Sequence, residues 1–414
     1  MTYTVEELIK NPTKWPVKRV YIKRRDTLGV YETNWYRVDI IDGVNRVINQ
    51  GTVNWKIDAE KVVQNSYDID TYSLKLMNQD GYFNSNADYR SCFFGFLDHK
   101  DTKIKIEVAM KDPDKVETGT ITAFEGIIES IDSGGDNTAT IKCSGYAKKL
   151  KEYSFPDLAI SGNQTISTII NAIFADSRVA GFFTSTTLTP VYDATINTNA
   201  NEVFDKSYFD VLKFVAEYSQ STMYFYNNIF YFGTREVVGT TAVFTFSGLG
   251  NLQTDCTTTI YSKPKYDQSG SDKLYTKIID SSSGLYAFSA DTILLNTGKT
   301  KTLDLTDVTT GGEKQDILDS YLARWGKRRP ALSFKAPFMM LTLKPRDIIA
   351  VDSPGSKTEV NSGYYDSSLW DDGSVWDGDG SSASISANDR FIIESIKYDV
   401  DKWETEVFCR KLIS

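Results

Sequence analysis

The sequence predicts a mainly β fold with a small α+β portion: two similar antiparallel β-barrel, tube-like modules flanking an α+β insertion domain. Three observations carry this. The pentapeptide Ile-Ile-Glu-Ser-Ile occurs at 127–131 and again at 392–396, each time opening a strand–turn–strand segment that closes on a cysteine, Cys143 or Cys409. A repeat of pattern, turn position and terminal residue marks a duplicated unit. Aromatic residues make up 13% of the chain, and alternating runs such as Lys103-Ile-Lys-Ile-Glu-Val108 read as half-buried strands. Between the two copies lie helical patterns of a different kind.

Residues 1–16 read as an N-terminal arm and 17–150 as the first β-barrel module, with strands at 20–22, 72–76 and 103–108. Residues 151–255 form the α+β domain. There Ile166, Ile169, Ile170, Ile173 and Phe174 share one helical face. A second helix starts after Ser207, with Asp210 completing a capping box, and buries Tyr208, Val211, Leu212, Val215 and Ala216. Apolar runs on either side of Asn227-Asn228 predict a hairpin.

Residues 256–414 are the second β-barrel module. Its strands fall at 274–280, about 293–305, 331–338, 340–343 and 347–351, before the repeat hairpin. A helix at about 313–327 presents Ile317, Leu318, Tyr321, Leu322 and Trp325 on one face. A Gly-, Ser- and Asp-rich stretch at about 353–389 interrupts this module as an exposed loop insertion.

A chain of 414 residues exceeds what one core fills. Its 41% hydrophobic content and mean hydropathy of −0.33 describe a folded chain. No apolar run approaches the ~20 residues of a bilayer span, so no membrane insertion is expected. The first residues lack a signal-peptide order, which implies synthesis in the cytosol. A net charge of −9 argues against tight nucleic-acid binding, which asks for a basic footprint. The four cysteines are scattered, and His99, the sole histidine, sits in a charged turn. Neither a zinc cluster nor a nucleophile–histidine pair is spelled out, so no metal, cofactor or catalytic residue is assigned.

Two constellations remain as candidate contacts. Trp370, Asp371, Asp372, Trp376 and Asp377 form a tandem echo in the loop insertion. Aromatic faces beside acidic acceptors suit a sugar or a partner protein, and a loop anchored by its tryptophans on its own barrel is the plainer alternative. These acids, with Asp379, lack the EF-hand order that calcium would ask for. Lys18, Arg19, Lys23, Arg24 and Arg25 make a local positive patch, either a docking face for an acidic partner or a solvated barrel face.

Five segments stand in a telling order. Leu74-Lys-Leu-Met-Asn-Gln-Asp-Gly-Tyr-Phe83 is a strand followed by Asn-x-Asp-Gly-x-Phe. Phe124-Glu-Gly-Ile-Ile-Glu-Ser-Ile131 precedes Cys143-Ser-Gly-Tyr146. Next come the helix at 208–218 with its hairpin at 223–232, then Leu343-Lys-Pro-Arg-Asp-Ile-Ile-Ala-Val351, then the hairpin at 392–412. Together they resemble the tail hub proteins of tailed phages. That family spans baseplate hubs, late-control-type tail proteins, the N-terminal part of siphophage tail-associated proteins and the VgrG hub of secretion systems. Arg346 stands where glycine is usual in it.

The resemblance implies a non-enzymatic structural protein. It would be a homotrimer whose two barrels per subunit form a pseudo-six-fold ring. Such a ring joins the six-fold tail tube to the three-fold tip and lines the DNA channel, through which DNA passes without specific binding. The implied partners are the tail tube or distal tail protein, the tape measure protein, and tail fibre or tip proteins. The implied location is the virion tail tip, after assembly in the host cytoplasm. The alternatives are a tail-tip adhesin or carbohydrate-binding protein, and a cell-wall-degrading tail enzyme.

Overall fold

Period-two alternation builds the first sheet. In chain order come β1 (Trp15–Lys23), β2 (Tyr36–Arg37), β3 (Ile40–Ile41), β4 (Val44–Asn45), β5 (Val47–Gln50), β6 (Thr52–Asp58) and β7 (Ser66–Tyr67). β8 (Thr71–Met77), β9 (Lys103–Lys111), β10 (Glu117–Ser133) and β11 (Thr138–Gly145) follow. Seven of them assemble in the order β2-β1-β9-β10-β11-β8-β5, antiparallel throughout. Tyr72, Leu74 and Leu76 of β8 and Ile104, Ile106 and Val108 of β9 point into the core, with the intervening residues turned away.

The computed structural model describes residues 15–412 except 59–65, 68, 98, 113, 134–135, 200–201, 227, 235–240, 248–257, 261, 268–273, 290–298, 309, 327–330, 337–342 and 353–388. The loop insertion with Trp370, Asp371, Asp372, Trp376 and Asp377 lies outside the described residues, as do Cys256 and positions 340–342 of the strand expected at 340–343, while Leu343 is buried and outside any strand.

The α+β unit follows the first sheet. It contains β12 (Asn163–Thr165), helices α1 (Ile166–Ala175) and α2 (Ser177–Ala180), β13 (Ser185–Thr189), β14 (Thr195–Asn197), helix α3 (Tyr208–Tyr218), β15 (Ser221–Tyr226) and β16 (Ile229–Thr234). Ser207 caps α3 by accepting the Asp210 N–H at 3.2 Å, as its spacing predicted. β15 and β16 pair with Tyr226 opposite Ile229, and Asn228 turns the chain at φ +61°, a conformation asparagine tolerates.

Beyond it come β17 (Phe244–Ser247), β18 (Thr258–Ile260), β19 (Ser262–Asp267), β20 (Tyr275–Asp280), β21 (Tyr286–Phe288), β22 (Lys299–Leu303) and helix α4 (Gly311–Trp325). β23 (Ala331–Ala336), β24 (Ile348–Asp352), β25 (Asp389–Asp399) and β26 (Glu404–Lys411) complete the chain. The second large sheet runs β18-β17-β24-β25-β26-β23-β19. Its centre, β24-β25-β26-β23, reproduces β9-β10-β11-β8 of the first sheet strand for strand. The flank differs: β1 lies antiparallel on β9, whereas β17 lies parallel on β24.

One apolar cluster runs through both large sheets, from Val20, Leu74, Ile106 and Ile128 to Phe334, Ile393 and Cys409. A second cluster joins α1, α3, β15 and β16 to Ile278, Leu303, Ile317, Leu318 and Tyr321. Sequence reasoning placed all of 256–414 in one β module. The packing instead seats β20–β22 and α4 with the α+β unit, because the apolar stripe of α4 packs on β20 and β21 and joins the core that α1, α3, β15 and β16 build. There the Tyr321 hydroxyl donates to Glu217 at 3.3 Å. Among the described residues no strand pairing closes either large sheet on itself, so the mainly β character holds while the expected closed barrels are not found. No described helix is long and apolar enough to cross a membrane.

Candidate functional site

The repeated pentapeptide occupies the same place in both sheets. Ile128 stands opposite Cys143 and Ile393 opposite Cys409, all four buried. Register slips by one residue just after each isoleucine, between Ile128 and Ser130 and between Ile393 and Ser395. Such a β-bulge sharpens twist and re-aims the strand. The turn before each hairpin also matches. Asp101 (φ +68°) donates its N–H to the Ile128 carbonyl at 3.1 Å, and Arg346 (φ +77°) does the same to Ile393 at 2.7 Å. A left-handed backbone is one that glycine adopts freely and a side chain such as that of Arg346 rarely does.

A seam joins the two sheets. β6, which follows β5 of the first sheet, pairs antiparallel with the far half of β25, from Lys56 opposite Ser395 to Thr52 opposite Asp399. Asp401, in the β25–β26 turn, accepts the Gln50 N–H at 2.8 Å and the Lys18 ammonium at 3.4 Å. Lys18 Nζ also stands 5.3 Å from the Trp403 ring centroid. Burial pulls the Lys18 ammonium below its usual range, with Asp401 opposing. Sequence reasoning missed this seam, although Val53, Trp55 and Ile57 alternate with polar residues and so carried the signal for a strand.

The rest of the expected positive patch is committed elsewhere. Arg19 pairs with Glu117. Arg24 grips both Glu32 oxygens at 2.6 and 2.8 Å and lies 3.9 Å over the Phe96 ring. Arg25 reaches Asp101 at 3.7 Å. Lys23 is half-buried on the strand. The five cations therefore do not make a free basic face: carboxylates meet four of them, Lys18 at the seam among them, and Lys23 lies half-buried on β1.

A second junction ties the first sheet to the α+β unit. Lys149, buried, donates to Asp101 at 2.5 Å and Glu152 at 2.7 Å. Burial pulls its pKa down, but those two hydrogen bonds outweigh it and the value is raised. Lys103 donates to the Gly181 carbonyl at 2.9 Å between the rings of Tyr31, Tyr146 and Phe182, at 4.7, 5.3 and 5.0 Å.

His99 lies half-buried with its ring against Phe93, 6.2 Å between centroids. Burial pushes the Cys92 thiol up to about 12 and raises Cys143 and Cys409 as well, the opposite of what a nucleophile asks for. Among the described residues no cluster of three or more His, Cys, Asp or Glu could hold a metal ion. A cleft of about 290 Å³ beside α3 and α4 is lined by Glu217, Asp304 and Asp307. In it the Tyr218 hydroxyl donates to the Asp304 carbonyl (2.9 Å) and Asp307 (3.2 Å), and burial holds this phenol protonated.

No protein-family model matches the sequence, and no curated protein is similar to it in sequence. The fold nonetheless matches solved structures over almost its whole length. It is similar to the tail protein from Neisseria meningitidis MC58, with a TM-score of 0.55, 11% identity, and coverage of 95% of this chain and 96% of that one. It is also similar to the 43 kDa tail protein of prophage MuSo2 from Shewanella oneidensis (TM-score 0.52, 11% identity, 95% and 97% covered). A prophage tail protein from Listeria monocytogenes EGD-e shows the same likeness (TM-score 0.50, 11% identity, 95% and 94% covered). At such identity the likeness is one of fold.

Proposed function

We propose that this chain is a structural hub protein of a phage tail, without enzymatic activity. Three copies would form a pseudo-six-fold ring between the tail tube and the three-fold tip, around the channel through which DNA leaves. The observation that carries this reading is the pair of large sheets with one central strand order, one bulge and one left-handed turn, joined head to tail by β6 on β25. Two equivalent units per chain let a trimer present six similar faces. The net charge of −9 fits a channel that repels phosphate rather than holding it. Three proteins of the same fold bear tail-protein names. The tube, tape measure and tip proteins would be its neighbours in the virion.

Mass in solution tests the reading. Light scattering over a range of concentrations, with negative-stain images of the same sample, should find rings of three 46.6 kDa chains, about 140 kDa, with a central hole. A chain that stays monomeric at every concentration contradicts it. Cell-wall turbidity and host-cell binding assays would then decide between enzyme and adhesin.

A further inference from the structure

We infer that the outer edge of β10 beyond Ile128 docks a strand from a second copy of this chain. This deepens the ring reading above and rests on it.

The repeat supplies an internal control. In both copies the edge facing away from the hairpin partner is paired over its first half, by β9 as far as Ile127 and by β24 as far as Ile392. Ile128 and Ile393 then close that pairing identically. The Ile128 N–H donates to Thr102 at 2.9 Å, and the Ile393 N–H donates to Asp347 at 2.9 Å. Past this point the copies part. On β25, residues 395–399 are covered by β6. On β10, residues 130–133 stay extended and pair with β11 on one side, while among the described residues no strand lies on the other. An open row of backbone donors and acceptors is a template for an incoming strand. The side chains agree: Ile396 is fully buried where β6 covers its strand, whereas its counterpart Ile131 is only half-buried.

The occupant follows from the geometry of the seam. β6 comes from the first sheet and docks on the second, so donor and acceptor are different surfaces. A head-to-tail contact of this kind leaves one acceptor edge open at the end of each chain, and repeating it between copies closes a ring when the rotation allows. The first sheet of one copy would accept, and the second sheet of the next would donate.

Hydrogen exchange on the full chain tests this, comparing dilute monomer with assembled protein separated by size. Amides at 130–133 that do not bond to β11 should slow by at least about tenfold on assembly, while 395–399 are slow in both states. Assembly with unchanged exchange at 130–133 overturns the strand docking and leaves the ring standing. Failure to assemble at any concentration overturns both.

Discussion

At the same point of the two hairpins the first sheet carries Gly126 and the second Phe391. A Cβ on Gly126 would stand 2.1 Å from the Ser144 carbonyl oxygen and 2.9 Å from the Phe124 ring, so the backbone of β11 leaves no room. Phe391 is fully buried and fills the space from within. One hairpin geometry is thus held in two ways, by close backbone approach in the first sheet and by side-chain volume in the second. The bulge, the turn and the cysteine are common to both hairpins while their surroundings differ. That is the pattern expected if the hairpin serves one purpose in two places.

Opposite substitutions should therefore both do harm. Phe391→Ala should cost about 4 kcal/mol by opening a cavity, and Gly126→Ala about 3 kcal/mol by overpacking, both read as loss of stability in denaturant titrations. Tolerance of Gly126→Ala would mean the strands approach less closely than described.

The left-handed turn sharpens the contrast. Asp101→Gly should destabilise by about 2 kcal/mol, because it strips a hydrogen-bonded charge from buried Lys149. Arg346→Gly, at the matching position, should gain up to about 1 kcal/mol by relieving the backbone. A pH series adds a sign. The pKa of Lys149 is raised, so its contribution is complete below the ordinary lysine value and disappears as pH rises through the raised one. Asp101→Gly should move that alkaline loss of stability to lower pH.

The smallest difference concerns the bulge residues themselves. Glu394 is buried and accepts from Arg410 at 2.8 Å, whereas Glu129 is exposed and meets Lys148 at 3.2 Å. Glu394→Gln should cost about 2 kcal/mol, and Glu129→Gln no more than about 0.5 kcal/mol, vanishing in high salt. Equal effects in thermal melts would argue that the two bulges share one environment.

Local pattern made much of this legible in the sequence. The repeat hairpins, the α1 stripe, the Ser207 cap and the Asn227-Asn228 turn all rest on neighbours within a few residues, where periodicity and capping speak directly. What the sequence hid was long-range. Lys18 and Asp401 meet across 383 positions, and Arg19 meets Glu117 across 98. No local signal separates a cation facing water from one facing such a carboxylate. The helix at 311–325 was recognisable as amphipathic, yet amphipathicity does not say which core receives the apolar face, and it went to the α+β unit. β6 was readable as a strand, but not as the strand that leaves its own sheet for the other.

Equivalence of the two sheets within one ring is best tested by electron cryo-microscopy of the assembled protein, reconstructed with three-fold symmetry alone. The β10–β11 and β25–β26 hairpins should then lie at one radius and one height, related by a single step of a six-fold rotation. Hairpins at different radii, with one facing the channel and the other turned outward, would contradict it.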